Sequence, residues 1–226
     1  MEESAAMIPS LLVAAGLGLL AGAQHALGGP DHFAGVAPFA AREGRSAWRV
    51  GMGWGLGHAT GAAAAAAIAL ALRAAIPGIE EHLSGFSDRV VGILMCVVGA
   101  IGLRSALRAR RPTDRSKHAL VDPGAPNRHD DDHGHASTAF GLGLFHGAGG
   151  LAHLFAVVPA LGFPGVAQPA LYLTGYALGS LALITAFATV VGRVARDDRP
   201  RARRGVLAAA SVASLAIGLV WALSPT

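Results

Sequence analysis

The chain has 226 residues, 53% of them hydrophobic and only 14% charged, which is too apolar for a soluble domain of this length. A sequence pI of about 10.2 would suit nucleic acid, but the basic residues fall in connections between apolar runs, which argues against that role. One cysteine, Cys96, excludes an intrachain disulfide and the membrane thiol carriers that need two, and no Gly-x4-Gly-Lys-Ser/Thr loop is present to serve an ATP motor.

The chain opens Met-Glu-Glu without a basic region, so no cleavable signal is expected. Six apolar stretches then follow, at about 8–41, 47–76, 90–107, 138–163, 167–192 and 205–223, each long enough to predict a membrane span. Ala and Gly dominate them, which predicts close helix contacts. The first stretch carries His25, Asp31 and His32, with Pro30 predicting a kink. The second carries His58. The connection after it holds Glu80, Glu81, His82 and Asp88 and reads as a solvated acidic loop. The long polar stretch 109–137 contains His118 and the run His129-Asp130-Asp131-Asp132-His133-Gly134-His135, and reads as a disordered cytoplasmic loop able to hold metal weakly. The fourth stretch carries His146 and His153.

Of the 18 Lys and Arg, all but Arg73 and Arg89 lie in three alternate connections. Arg42, Arg45 and Arg49 follow span 1. Arg104, Arg108, Arg110, Arg111, Arg115, Lys117 and Arg128 follow span 3. Arg193, Arg196, Arg199, Arg201, Arg203 and Arg204 follow span 5. This positive-inside pattern predicts a multi-pass protein of the cell inner membrane, with both termini outside and the basic loops cytoplasmic.

The two halves repeat. His25-Ala-Leu-Gly28-Gly29-Pro30-Asp31-His32, with Val36 and Pro38, matches His146-Gly-Ala-Gly149-Gly150-Leu-Ala-His153, with Val157 and Pro159, at an offset of 121 residues. Gly53-Trp54-Gly55-Leu56-Gly57-His58 matches Gly175-Tyr176-Ala177-Leu178-Gly179-Ser180, and Ala100-Ile101-Gly102-Leu103 matches Ala216-Ile217-Gly218-Leu219. A unit of three spans is odd, so the second copy runs inverted relative to the first. The expected architecture is all-α: a first three-helix repeat over 1–108, the loop 109–137, and a second three-helix repeat over 138–226.

In a continuous helix, positions i and i+7 share a face, so His25, Gly28, Gly29 and His32 are expected to form one stripe, and His146, Gly149, Gly150 and His153 another. The glycines would leave a notch between the imidazoles. Asp31 is an acid deep in a span and must be protonated, paired or metal-bound. Imidazoles with one carboxylate suit borderline divalent metals, namely Ni, Co, Zn, Fe or Mn. The absence of a thiolate or Met cluster argues against Cu(I). The expected metal residues are therefore His25, Asp31, His32, His58, His146 and His153, with a secondary low-affinity group at His129, Asp130, Asp131, Asp132, His133 and His135.

These motifs resemble a known group. His25-Ala-Leu-Gly-Gly-Pro-Asp31-His32 is similar to the histidine–aspartate–histidine motif of the nickel/cobalt transporter families, closest to the NicO and urease-accessory-like six-span permeases. Gly55-Leu-Gly-His58-Ala-Thr60 resembles their second motif, and Phe145-His146-Gly-Ala-Gly149-Gly150 the His-Gly motif that opens their second half. The resemblance implies a non-enzymatic carrier of Ni²⁺ or Co²⁺ in the bilayer, with no bound cofactor and no nucleic-acid partner. It implies that His25, Asp31, His32 and His58 are ligands or gate residues. Two departures stand out: uptake permeases carry two acids in the first motif and five residues between the histidines, whereas here one acid remains and six residues intervene. The rival readings are a membrane di-metal oxidase or hydroxylase, whose histidines would gather near a cytosolic face, and a non-transporting accessory subunit for metalloenzyme assembly.

Overall fold

A computed structural model describes residues 2–73, 79–108, 128–149, 159–160, 162–195 and 200–223. The described residues are helical, with no strand among them. The order is α1 (Glu2–Gly28), α2 (Pro30–Glu43), a 3₁₀ turn (Gly44–Ser46), α3 (Ala47–Arg73), α4 (Ile79–Arg108), α5 (Arg128–Gly149), α6 (Ala167–Val194) and α7 (Pro200–Leu223). Among the described residues, four helices are long and apolar enough to cross a membrane: Ile8–Gly28 within α1, Arg89–Arg108 within α4, α6 and α7. Leu12, Leu20, Val190 and Val220 stand exposed on three of these helices, the sign of a lipid-facing surface. The chain is an all-helical membrane protein.

The first apolar stretch is not one kinked helix but two helices. Pro30 disfavours helical geometry in the residue before it, and Gly29 is accordingly extended, with φ −98° and ψ 92°. The N–H of Gly29 closes α1 on the carbonyl of His25 at 3.1 Å, and the N–H of His32 opens α2 on the carbonyl of Gly29 at 3.1 Å. Pro30 sits at the start of α2, where its missing N–H costs nothing. His25 and His32 therefore lie on different helices, and the single stripe expected of a continuous helix does not form. In the second half, α5 ends at Gly149, the repeat equivalent of the Gly28 that ends α1.

Two other boundaries also differ from the sequence reading. Helix α4 begins at Ile79 and takes in Glu80, Glu81, His82 and Asp88, because the breaker Pro77-Gly78 precedes them and no proline follows. Helix α5 begins at Arg128, so the run 129–135 is helical backbone rather than coil. Pro123 and Pro126 stand just before that start.

Packing is arranged in three principal pairs: α3 on α5, α1 on α6 and α4 on α7. In the first two, glycines bring backbone against backbone. On α3, Gly53 faces Ala136, Gly57 faces Phe140 and Gly61 faces Leu144; from α5, Gly143 faces Trp54 and Gly147 faces His58. On α6, Gly175 faces Ala15 and Gly179 faces Leu19; from α1, Gly18 faces Tyr172 and Gly22 faces Tyr176. In both pairs the residue numbers rise together, so the partners run parallel. In the third pair they run antiparallel: Gly92 faces Ala222 and Gly218, whereas Gly99 faces Leu215 and Ser211. The hydroxyl of Ser214 adds a bond to the carbonyl of Met95 at 2.9 Å.

Helix α2 lies between these pairs and is buried over most of its length, at Asp31, His32, Ala34, Gly35, Val36, Ala37, Pro38, Ala40 and Ala41. Its Val36 and Ala40 join Trp54, Val50, Ile184 and Ala188 in the main core, and Phe33 packs on Phe187 with ring centroids 4.4 Å apart. At its far end Gly44 takes φ +57°, a value that favours glycine. The guanidinium of Arg203 on α7 donates to the carbonyl of Arg42 at 2.7 Å and to that of Ala41 at 3.4 Å, satisfying terminal carbonyls that the helix itself leaves open.

Candidate metal centre

The break at Gly29 puts Asp31 and His32 in the first turn of α2, beside His25 in the last turn of α1. His58 arrives from α3 and His146 from α5, both carried by the glycine-seamed pair in which Gly147 packs directly on the His58 backbone. Four helices thus deliver four imidazoles and one carboxylate to one place. Ring centroids lie 4.8 Å apart for His25–His32, 4.8 Å for His32–His58, 5.1 Å for His32–His146 and 5.5 Å for His58–His146. Asp31, His32, His58 and His146 are all at most 4% exposed. His25 is only partly buried.

Two overlapping groups of ligand atoms result, each with its atoms within 4.8 Å of one another: His25/His32/His58 and Asp31/His32/His146. The buried carboxylate is paired on both oxygens. Oδ1 of Asp31 lies 3.3 Å from Nδ1 of His32, and Oδ2 lies 3.0 Å from Nε2 of His146. Nδ1 of His32 also lies 3.2 Å from the carbonyl oxygen of Gly29. On the other edge of the same ring, Nε2 is 3.4 Å from Nε2 of His58. A side chain at position 29 would collide with the His32 ring and the Asp31 carboxylate, so that glycine makes room for their contact, whereas none of the described residues crowds position 28.

Five of the six expected primary residues are brought together: His25, Asp31, His32, His58 and His146. His153 lies outside the described residues, as do Gly150, His118 and the side chains of 129–135. Two aromatic residues not predicted for the site also border it. Trp54 packs on His146 with centroids 5.4 Å apart, and Tyr176 packs on His25 at 5.5 Å. Their signal was present in the repeat, since Trp54 and Tyr176 occupy equivalent positions and so do His146 and His25. The indole Nε1 of Trp54 and the hydroxyl of Tyr176 are buried with no hydrogen-bond partner among the described residues. The hydroxyl of Ser180, the repeat partner of His58, donates to the carbonyl of Gly22 at 2.9 Å.

Histidine nitrogens and a carboxylate gathered in a largely buried site, without thiolates among the described residues, form a donor set suited to a borderline divalent metal. No protein-family model matches the chain. No solved structure matches it either. Among curated proteins, the chain is 28% identical to "Chloroplast protein FOR GROWTH AND FERTILITY 1" of Arabidopsis thaliana over 223 residues, covering 95% of this chain and 60% of that protein. It is 26% identical to "Chloroplast protein FOR GROWTH AND FERTILITY 2" of the same plant, covering 95% of this chain and 57% of that one. The chain therefore spans about three fifths of the length of these relatives. Their names state a compartment and a growth phenotype, and no substrate.

Proposed function

We propose that this protein carries a divalent transition-metal ion, Ni²⁺ or Co²⁺ foremost, across a membrane. One observation carries this reading: His25, Asp31, His32, His58 and His146 converge from four helices in a buried cluster beside a helix break. Ionisable groups at such depth are costly and mark ion pathways more often than packing. A discontinuous helix whose break borders the cluster, here with His25 in the C-terminal turn of α1, is a recurring arrangement in carriers with inverted repeats, where helix C-terminal ends and freed carbonyls favour cations.

The packing supports six spans arranged as two inverted three-helix units. Under exchange of the halves, α1·α6 becomes α5·α3, and α4·α7 maps onto itself. Individual contacts follow the same rule. Gly57 on Phe140 corresponds to Gly179 on Leu19, and Gly22 on Tyr176 corresponds to Gly143 on Trp54. Parallel first and second pairs with an antiparallel third pair also match alternating passage through a bilayer. In this arrangement the basic connections lie on the cytoplasmic side of a cell inner membrane and both termini lie outside. The histidine and aspartate run 129–135 then stands at the cytoplasmic mouth, where it gathers ions. The depth of the cluster disfavours the oxidase reading, since the histidines do not collect at a basic face.

The test is uptake of Ni²⁺, Co²⁺, Zn²⁺ and Mn²⁺ by the purified chain alone in liposomes. Saturable uptake of Ni²⁺ or Co²⁺ is expected, and its absence in correctly inserted protein would assign the chain an accessory role. Imidazole binds metal only when neutral, so protonation competes with the ion. Apparent affinity is therefore highest at neutral to alkaline pH and falls on acidification. An affinity that stayed constant at every acidic pH the folded protein tolerates would remove the histidines from the site.

A further inference from the structure

We infer that Asp31 is not a ligand but the carboxylate that orients two imidazoles, and that the ion is held by nitrogen alone, from His25, His32 and His58. This inference rests on the metal-carrier reading above and specifies which atoms of the cluster bind the ion.

The argument turns on the two edges of the His32 ring. Nδ1 faces two acceptors, the Gly29 carbonyl at 3.2 Å and Asp31 Oδ1 at 3.3 Å, so Nδ1 carries the hydrogen. Nε2 is left with the lone pair, and it is the edge that faces Nε2 of His58 at 3.4 Å. Two nitrogens bound at about 2.0–2.1 Å to a tetrahedral metal lie roughly 3.3–3.4 Å apart, so the observed spacing is an edge of such a site. His25 completes the triad from α1. An ion at Nε2 sits across the ring from Oδ1 of Asp31, because Nδ1 and Nε2 project from opposite sides of the imidazole. The other carboxylate oxygen is taken by Nε2 of His146 at 3.0 Å. Asp31 thus accepts one N–H from each of two rings on different helices. That is the role of an outer carboxylate, which fixes tautomer and ring angle and raises the basicity of the ligating nitrogen. His146 is then the second hydrogen-bond donor to Asp31, and both are positioning residues. A fourth position on the ion remains for water, as an ion that must enter and leave requires.

Co²⁺ binding to the full-length purified chain tests this, with imidazoles counted by X-ray absorption and affinity measured by titration calorimetry. Three imidazoles are expected in the wild type and three in Asp31→Asn, with affinity lowered roughly 10–100-fold by loss of the orienting charge. His58→Ala lowers the count. His146→Gln, which keeps an N–H donor, retains the count of three and most of the affinity, whereas His146→Ala loses about tenfold. A wild-type count of four, a count that falls in His146→Gln, or complete loss of Co²⁺ in a folded Asp31→Asn protein would overturn the assignment while leaving the metal reading intact. Failure of the wild type to bind Co²⁺ would remove both.

Discussion

The α3·α5 and α1·α6 pairs are built alike and equipped differently. Each is a parallel couple seamed by glycines spaced four apart, with equivalent contacts at equivalent positions. Yet α3·α5 presents His58 and His146 to the cluster, whereas α1·α6 contributes His25 alone, and its Ser180 bonds back to the α1 backbone. Scaffold and chemistry are therefore separable. The glycine seam sets how near two helices come, and the residues facing inward from each seam decide how much of that nearness goes to the cluster and how much to the fold.

The largest effect that sharpens this comparison comes from the paired positions themselves. His58→Ala should weaken Ni²⁺ or Co²⁺ binding by more than about 100-fold in titration calorimetry, beyond the cost of disturbing an outer partner. Ser180→Ala should leave binding unchanged and cost about 1 kcal/mol of thermal stability, the usual worth of one hydrogen bond. Loss of binding in Ser180→Ala would show that both pairs serve the site. The seams give a smaller contrast. Gly147→Ala and Gly179→Ala each push a methyl group into a facing backbone, at His58 and Leu19 respectively, and each should destabilise by about 1–3 kcal/mol. Only Gly147→Ala should also lower metal affinity, because its methyl group presses on the backbone of the proposed ligand His58 whereas that of Gly179→Ala presses on Leu19, and equal effects on affinity would erase the distinction. The smallest contrast lies at the joint between α1 and α2. Gly28→Ala meets no described residue and should bind metal as the wild type does, whereas Gly29→Ala strikes His32 and Asp31 and should weaken binding several-fold. Indistinguishable titrations of these two variants would mean that the His32 ring has room to yield.

Much of the cluster was legible in the sequence because the repeat doubled the signal. His25 and His146 announce each other across 121 residues, and a histidine among small apolar residues is chemically conspicuous. The way His25 and His32 meet was not legible. Helical periodicity predicts a shared face for positions seven apart, and the rule fails here because Pro30 forces Gly29 out of helical geometry. The proline was visible and read as a kink, since a kink and a full break differ only in how the freed backbone groups find partners. For Trp54 and Tyr176 the repeat equivalence is the one signal, because an aromatic residue on an apolar helix otherwise reads equally as lipid-facing or as core. Charge, together with Pro and Gly content in the second case, reads the polar flanks of α4 and α5 as loops, although helices extend into water wherever no breaker stops them.

The break at Gly29 has a mechanical consequence. It joins two rigid rods by one extended residue, and His25 and His32 stand on either side of that joint. An ion grasped by both rings is a chelate clasped across a hinge. Filling the chelate stiffens the joint, and by reciprocity any torque that changes the angle between α1 and α2 must change the hold on the ion by the same free energy. Arg203 grips the opposite end of α2 from the basic connection. A lever about 21 Å long, at 1.5 Å of rise for each of its 14 residues, thus runs from that grip to the clasp.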